Sequence, residues 1–213
     1  MTTVYFLRHG QSLGNKDNFF LGHTDMGLTE LGYKQAELVS KFFDILDIDA
    51  IYSSDLCRAY NTVKPTADKK GLPIHTSEKL REIYAGVWER KTVDDLWNNY
   101  YDSFSIWKND IGNSVCDDGE SVKELQNRIN AEVNRIVAEN RGKKILIATH
   151  ATPIRVLSCI WNGVSVEEAK NIPWVTNAST TCVEYNDDGT YFIRANSFDA
   201  YLGDNTSKIS RRI

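Results

Sequence analysis

The chain has 213 residues, a mass of 24.2 kDa and a formal net charge of −4. At about 150 residues per domain, this length predicts a single domain carrying insertions. Hydrophobic residues at 41% and charged residues at 25% exclude a collagenous, disordered or disulfide-scaffold chain, and a mildly acidic surface excludes attraction to nucleic acid or anionic membrane by bulk field. Positive charge for any anionic ligand must therefore be local.

No apolar run approaches the ~20 residues that cross a bilayer. Met1 to Gly10 enters a strand at once, without a basic region and a long apolar stretch, so no signal peptide is expected. Cys57, Cys116, Cys159 and Cys182 form no C-x-x-C and suit neither a zinc site nor a small disulfide framework. Reduced thiols in a cytoplasmic protein are the expectation. The Asn177 and Asn205 sequons then carry no meaning.

In chain order, Thr2 to Leu7 is β-branched and aromatic and predicts a buried strand. A Gly-containing loop over 10–27 follows. Leu31, Leu38, Val39 and Phe42 then set a helical stripe. Ala50 to Tyr52 predicts a second strand, and a helix runs from about Asp55 to Lys69. Leu72 to Thr76 predicts a short third strand, at an edge. Ser121 and Glu124 form a capping box. The helix it opens carries the stripe Val122, Leu125, Ile129, Val133, Ile136 and Val137, with Gly142 beyond its end. Lys144 to Thr149 is an apolar central strand. Thr152 and Pro153 read as the N-cap and first residue of another helix. Thr180–Tyr185 and Thr190–Arg194 flank an Asn-Asp-Asp-Gly turn and predict a hairpin.

Alternating strands and helices predict a single-domain α/β fold, with a mostly parallel sheet and helices on both faces. Residues 84–118 stand apart as a small helical insertion over the sheet's rim. Tyr84, Trp88, Trp97, Tyr100, Tyr101, Phe104 and Trp107 lie in its first part. They form a satellite apolar cluster, a wall for substrate, or both.

Ligands of open α/β sheets sit beyond the carboxyl ends of the strands. The first strand ends in Arg8-His9-Gly10. The second runs into Ser53-Ser-Asp-Leu-Cys-Arg58. The central one ends in Thr149-His150-Ala151, at a helix start. Two histidines and two arginines thus converge on one rim. Arginine forks match phosphate oxygens, and a helix N-terminus adds free N–H groups. Arg58 opens a helix, where a cation opposes the dipole, and this argues for a functional reason.

These motifs give the chain a resemblance that covers nearly its whole length. Its carriers are Leu7-Arg-His-Gly-Gln-Ser-Leu-Gly-Asn15, Asp25 to Ala36, Tyr52 to Arg58 with Thr62, Leu80-Arg-Glu82 with Gly86 and Trp88, Gly119-Glu-Ser121, and Ala148 to Arg155. In that order and spacing they resemble the histidine phosphatase superfamily, which includes the cofactor-dependent phosphoglycerate mutases. The resemblance implies a phosphoglycerate mutase-like fold with the insertion closing over the site. It implies that His9 is the nucleophile and becomes phosphohistidine. Arg8, Arg58 and His150 would neutralise the transferring phosphoryl group, and Asn15 and the Ala151 amide would add donors. Glu82 would be the proton donor and then the base for water. No metal or other cofactor is implied. Gly22, His23, Tyr84 and Trp88 are candidates for the substrate pocket.

Two departures bear on this. Relatives often carry Gly-Gly or Gly-x after the second histidine, whereas this chain has Ala151-Thr152. Mutases of this type carry an arginine after the acid glutamate and an Arg-Arg pair in the insertion. Here Ile83 follows Glu82, and Arg90, Lys91 and Lys108 are the insertion's cations. The resemblance therefore favours a metal-independent phosphomonoesterase acting on small phosphorylated metabolites. A phosphoglycerate mutase and a non-catalytic phosphate-binding module are the alternatives. The partner expected is a small phosphoester, with no nucleic acid and no membrane, and a homodimer is left open. The basic tail Lys208, Arg211 and Arg212 reads as a solvated end, or as a strap over the site.

Overall fold

The computed structural model describes residues 1–207. Six strands form one sheet in the order β3-β2-β4-β1-β5-β6. They are β1 (Thr2–Arg8), β2 (Ala50–Ser54), β3 (Ile74–Ser77), β4 (Lys144–Thr149), β5 (Thr180–Tyr185) and β6 (Tyr191–Phe198). The pairs β1–β4, β2–β4 and β2–β3 are parallel, and β5 runs antiparallel to both its neighbours. The sheet is thus mostly parallel, with β3 at one edge and the closing hairpin at the other.

The helices are α1 (Leu13–Lys16), α2 (Glu30–Asp44), α3 (Cys57–Lys70), α4 (Val93–Asn99), α5 (Tyr101–Asn109), α6 (Val122–Glu139) and α7 (Ala151–Trp161). Strand alternation explains why they cover both faces. In β4, Ile145 and Ile147 join one apolar cluster, and Leu146 and Ala148 join the other. The first cluster holds α6, α7 and, from segment 84–118, Trp88, Trp97, Tyr100, Phe104 and Trp107. The second holds α2 and α3. These five aromatic residues therefore extend a main core cluster and are not a satellite, while Tyr84 and Tyr101 stay exposed.

Local chemistry explains the element ends. Ser121 Oγ accepts from Glu124 N at 3.1 Å, and Ser121 N donates to Glu124 Oε2 at 2.8 Å, so the capping box starts α6 as the sequence predicts. Leu56 offers no side-chain cap to α3. Asp25, far away in sequence, accepts from Cys57 N at 2.8 Å instead. The α2 stripe is wider than expected. Gln35, Ala36, Val39 and Phe43 are buried, while Phe42 stacks on Tyr201 at 4.5 Å.

One boundary corrects the sequence reading. α7 begins at Ala151, with His150 as its N-cap. Thr152 and Pro153 are thus inside the first turn, and Thr152 N donates to Glu82 Oε2 at 3.2 Å. A tertiary carboxylate has claimed the amide that a local cap would have used.

All four cysteines are free thiols. Among the described residues no helix is long and apolar enough to cross a membrane. The basic tail Lys208, Arg211 and Arg212 lies outside the described residues.

Ser121→Ala removes the acceptor for a helix-start amide and is expected to cost about 1 kcal/mol. Urea unfolding of both proteins measures it, and an unchanged midpoint would show that α6 does not need its cap.

Candidate active site

The parallel register brings the site together. Arg8 pairs with Thr149 and Ser53 pairs with Ala148, so β1, β2 and β4 end on one rim. His9 N donates to Thr149 O at 3.0 Å, and the His9 and His150 rings lie 5.1 Å apart at 62°. Both histidines are buried.

The hydrogen bonds fix the His9 tautomer. Its Nδ1 is 2.7 Å from the Gly10 carbonyl, which can only accept. Nδ1 therefore carries the proton, and Nε2 keeps its lone pair. The His9 carbonyl is held in turn by the Ala178 amide at 3.1 Å and by Asn177 Nδ2 at 3.1 Å. Ala178 stands at φ +56, a left-handed conformation that costs alanine about 1 kcal/mol. That turn aims its amide at the end of β1.

His150 Nε2 meets Ser54 Oγ at 2.9 Å, and Nδ1 has no protein partner. Ser54 Oγ already accepts from Leu56 N, so its own proton is available to Nε2. With that proton given to Nε2, the ring's own N–H is on Nδ1; the hydroxyl's second lone pair also permits the opposite tautomer. Both imidazoles have pKa values held well below 6.5, by burial first and by the Arg58 charge next. Both are neutral at pH 7.

Two arginines flank them. Arg58 is only 1% exposed, in the first turn of α3. Its Nη1 donates to Thr24 O at 2.9 Å and its Nη2 to Gly22 O at 2.7 Å. Arg8 donates through Nη1 to Val175 O, and its Nε has no protein partner. Burial lowers the Arg8 pKa to about 10, which still leaves it charged. Among the described residues neither arginine forms an ion pair with a carboxylate, although the buried Glu82 charge acts on both. Asn15 Oδ1 accepts from Ser12 N at 3.2 Å and from Asn177 Nδ2 at 3.0 Å. Those bonds use the oxygen and leave its Nδ2 donor for the cavity.

Glu82 is buried between the ends of the loop and α7. Ile83 N donates to its Oε1 at 2.8 Å and Thr152 N to its Oε2. Burial raises its pKa, outweighing these donors and the pull of Arg58. Ala151 is not among the residues at positive φ, so alanine is unstrained at the start of α7.

A cavity joins these groups except His150, which is fully buried beside His9 and is not among the lining residues. Including its open mouth, it encloses about 890 Å³. Arg8, His9, Asn15, Arg58, Glu82, Ala151, Thr152 and Asn177 line one part. Phe19, Phe20, Leu21, Ile83, Trp107 and Trp174 line the other. Phe20 meets Trp107 at 5.0 Å, and Arg155 lies 4.0 Å over Trp174.

The four pocket candidates from the sequence do not line this cavity. Trp88 is fully buried behind Phe20, donating to Asp117 at 3.3 Å. Tyr84 is 45% exposed and packs on His23 at 5.2 Å, in a shallow hollow outside. Gly22 serves the site only through its carbonyl, which Arg58 grips. The sequence reading missed Gln11, Ser12, Phe19, Phe20, Leu21, Trp174 and Asn177, and explained Thr152 by a cap role. Asn177, read there as an idle sequon, is buried and hydrogen-bonded.

The chain matches the histidine phosphatase superfamily (branch 1) over residues 4–197. It belongs to that superfamily. This histidine phosphatase is 31% identical to "Probable phosphoglycerate mutase GpmB" of Yersinia pestis, over 88% of this chain and 86% of that one. It is 27% identical to phosphoserine phosphatase 1 of Hydrogenobacter thermophilus, over 79% of this chain and 80% of that one. Its structure is similar to that of YhfR from Bacillus stearothermophilus, with a TM-score of 0.90 and 27% identity, covering 95% of this chain and 100% of that one. The phosphoglycerate mutase-like fold expected from the sequence is thus the fold of this histidine phosphatase.

The two histidines make stability depend on pH. Unfolded, each takes up a proton near pH 6.5, and the folded state refuses both. The unfolded chain then binds more protons, so stability falls as pH drops from about 6.5 toward 5. Glu82 works in the opposite direction, so the readout is a difference between proteins. His150→Gln should flatten the fall in Tm between pH 7 and pH 5, and an unchanged slope would contradict the neutral buried ring.

Proposed function

We propose that this histidine phosphatase is a phosphomonoesterase that works through phosphohistidine at His9. The observation that carries the reading is the His9 tautomer: Nδ1–H is committed to the Gly10 carbonyl, and the Nε2 lone pair remains near two guanidinium groups that form no ion pair among the described residues. A neutral imidazole is a competent nucleophile, and fixed cations stabilise a transferring phosphoryl group without reorganising.

In the first step the Nε2 lone pair of His9 forms a bond to phosphorus, and the ester P–O bond breaks. The leaving alkoxide takes a proton from Glu82. Arg8, Arg58, His150 Nδ1–H, Asn15 and the Ala151 amide hold the phosphoryl oxygens. In the second step Glu82, now ionised, takes a proton from water. The water oxygen bonds phosphorus, the P–N bond breaks, and phosphate leaves with Glu82 protonated again. A carboxyl pKa raised by burial suits both duties.

The alcohol side of the cavity points to small substrates without a distal carboxylate. Arg8 and Arg58 are the only cations lining the cavity among the described residues, and both serve the phosphoryl end. A carboxylate on the alcohol would face Phe20, Trp107 and Trp174, without an ion partner. We therefore favour hydrolysis over the phosphoglycerate mutase reading, and an uncharged, flat or apolar alcohol over a phosphorylated acid. Segment 84–118 contributes to this wall through Trp107.

His9→Ala is expected to lower p-nitrophenyl phosphate turnover by more than about 10³-fold, while EDTA leaves the native enzyme active. Rapid quench should trap an acid-labile phosphoprotein in the native enzyme and none in the variant. EDTA inactivation with activity surviving in His9→Ala would overturn the mechanism. Glu82→Gln should cost about 10²–10⁴-fold on an alkyl phosphate and far less on p-nitrophenyl phosphate, whose leaving group needs no proton. In native enzyme, kcat/KM for the alkyl ester should decline as pH rises through the raised Glu82 pKa, and acid should suppress it only well below pH 6.5. A panel of kcat/KM values tests the alcohol preference. Aryl phosphates should exceed 3-phosphoglycerate and phosphoserine by about 10-fold or more; the reverse order would refute it.

A further inference from the structure

Arg58 is held by two carbonyls of a loop that has no secondary structure to stiffen it. Something else must hold residues 22–24 still. The Glu89 carboxylate does so. Its Oε1 accepts from His23 N at 2.6 Å, and its Oε2 accepts from Gly22 N and Thr24 N at 3.1 Å each. Three successive amides thus converge on one anion, as in a backbone nest. The carbonyls of the first and third of those residues are the two that grip the Arg58 guanidinium.

We propose that Glu89 is a positioning residue that orients Arg58 for the phosphoryl group, through the backbone of residues 22–24. The proposal rests on the reading of this cavity as a phosphate site. Geometry leaves little slack. A Cβ at Gly22 would lie 2.3 Å from Ile83 O and 2.5 Å from Glu89 Oε1, so the loop is pressed directly onto its anchor. Charge agrees as well: the peptide joining Gly22 to His23 gives its N–H to Glu89 and its carbonyl to Arg58, so its positive end faces the carboxylate and its negative end the guanidinium.

The same strip of chain is pinned on its other side. Phe20 N donates to Lys91 O at 2.8 Å, and Arg90 N donates to Phe20 O at 2.9 Å. Glu89 and its neighbours therefore hold Phe20, a ring of the apolar wall, and Gly22–Thr24, the grip on Arg58, as one body. A structural acid would be needed for folding alone. A positioning acid is needed for Arg58 in particular, and this difference can be measured.

The experiment is a double-mutant cycle on binding of inorganic phosphate, read by calorimetry without any turnover. Glu89→Ala and Arg58→Ala should each weaken phosphate binding by about 10-fold or more. In the Arg58→Ala background, Glu89→Ala should add little, because the group it positions is gone. Equal losses in both backgrounds would overturn the proposal, as would native phosphate affinity in Glu89→Ala. Glu89→Gln, which keeps one acceptor oxygen, serves where the alanine variant fails to fold, and it should show an intermediate loss with the same coupling to Arg58. If the native protein binds no phosphate, the phosphate-site reading fails along with the proposal. If it binds phosphate and the cycle is additive, only the role of Glu89 falls.

Discussion

Two guanidinium groups at the cavity are held by backbone carbonyls rather than by ion pairs, and their charge acts on the imidazoles beside them. Arg8 donates to Val175 O, and Arg58 to Gly22 O and Thr24 O. Arg81, Arg128 and Arg135 are instead paired with acids, Asp55, Glu120 and Glu132 in turn, while Arg155 is likewise held by carbonyls but faces a tryptophan ring. A carbonyl satisfies the donor without neutralising the cation. Burying charge in this way costs stability that a paired arginine would not forfeit. On the proposed function, a bound phosphoryl dianion offsets the cost. The same field, added to burial, keeps His9 and His150 neutral, so that the cavity combines fixed positive charge with an unprotonated nitrogen.

The sheet places those groups, and this part was legible in the sequence for a simple reason. β1 and β4 are short apolar runs bounded by polar residues, and each ends on its histidine. Parallel neighbours in one sheet must then bring both rings to the same rim. The capping box of α6 was legible because its partners are three residues apart. The start of α7 was not. Thr152-Pro153 has the composition of a cap, but the Thr152 amide is taken by Glu82, seventy positions earlier in the chain. Local preference yields where a buried carboxylate needs a donor.

The cavity wall was harder to read, because packing rather than composition decides which ring faces it. Trp88 and Trp107 belong to one aromatic segment, yet Trp88 is sealed behind Phe20 and Trp107 lines the opening. Tyr84 lies one residue after Ile83, which lines the cavity, but faces the outer hollow with His23. Asn177 gave no signal either. Its contact with His9 spans 168 positions and depends on the left-handed turn at Ala178. Such a residue has no periodicity, motif or spacing to announce it. Only the approach of β5 to the end of β1 creates its role.

The wall also bears on what accepts the phosphoryl group. On the proposed chemistry, the reaction passes through a phosphorylated His9, and water competes with any second alcohol for it. A transferase must hold its acceptor firmly enough to win. For a phosphorylated acid that grip is ionic, and it has to lie beyond the phosphate cations. In this cavity the ground beyond Arg8 and Arg58 is occupied by Phe20, Trp107 and Trp174, with Arg155 stacked against the last of them and bonded to the carbonyls of Ala169 and Lys170. That guanidinium is spent on holding a ring in place. Apolar contact favours binding of an alcohol before the transfer but supplies no directed hold on a charged acceptor after it. The alcohol departs, and a cavity open at its mouth admits water beside Glu82. On the proposed reading, hydrolysis follows from where the cations have been placed.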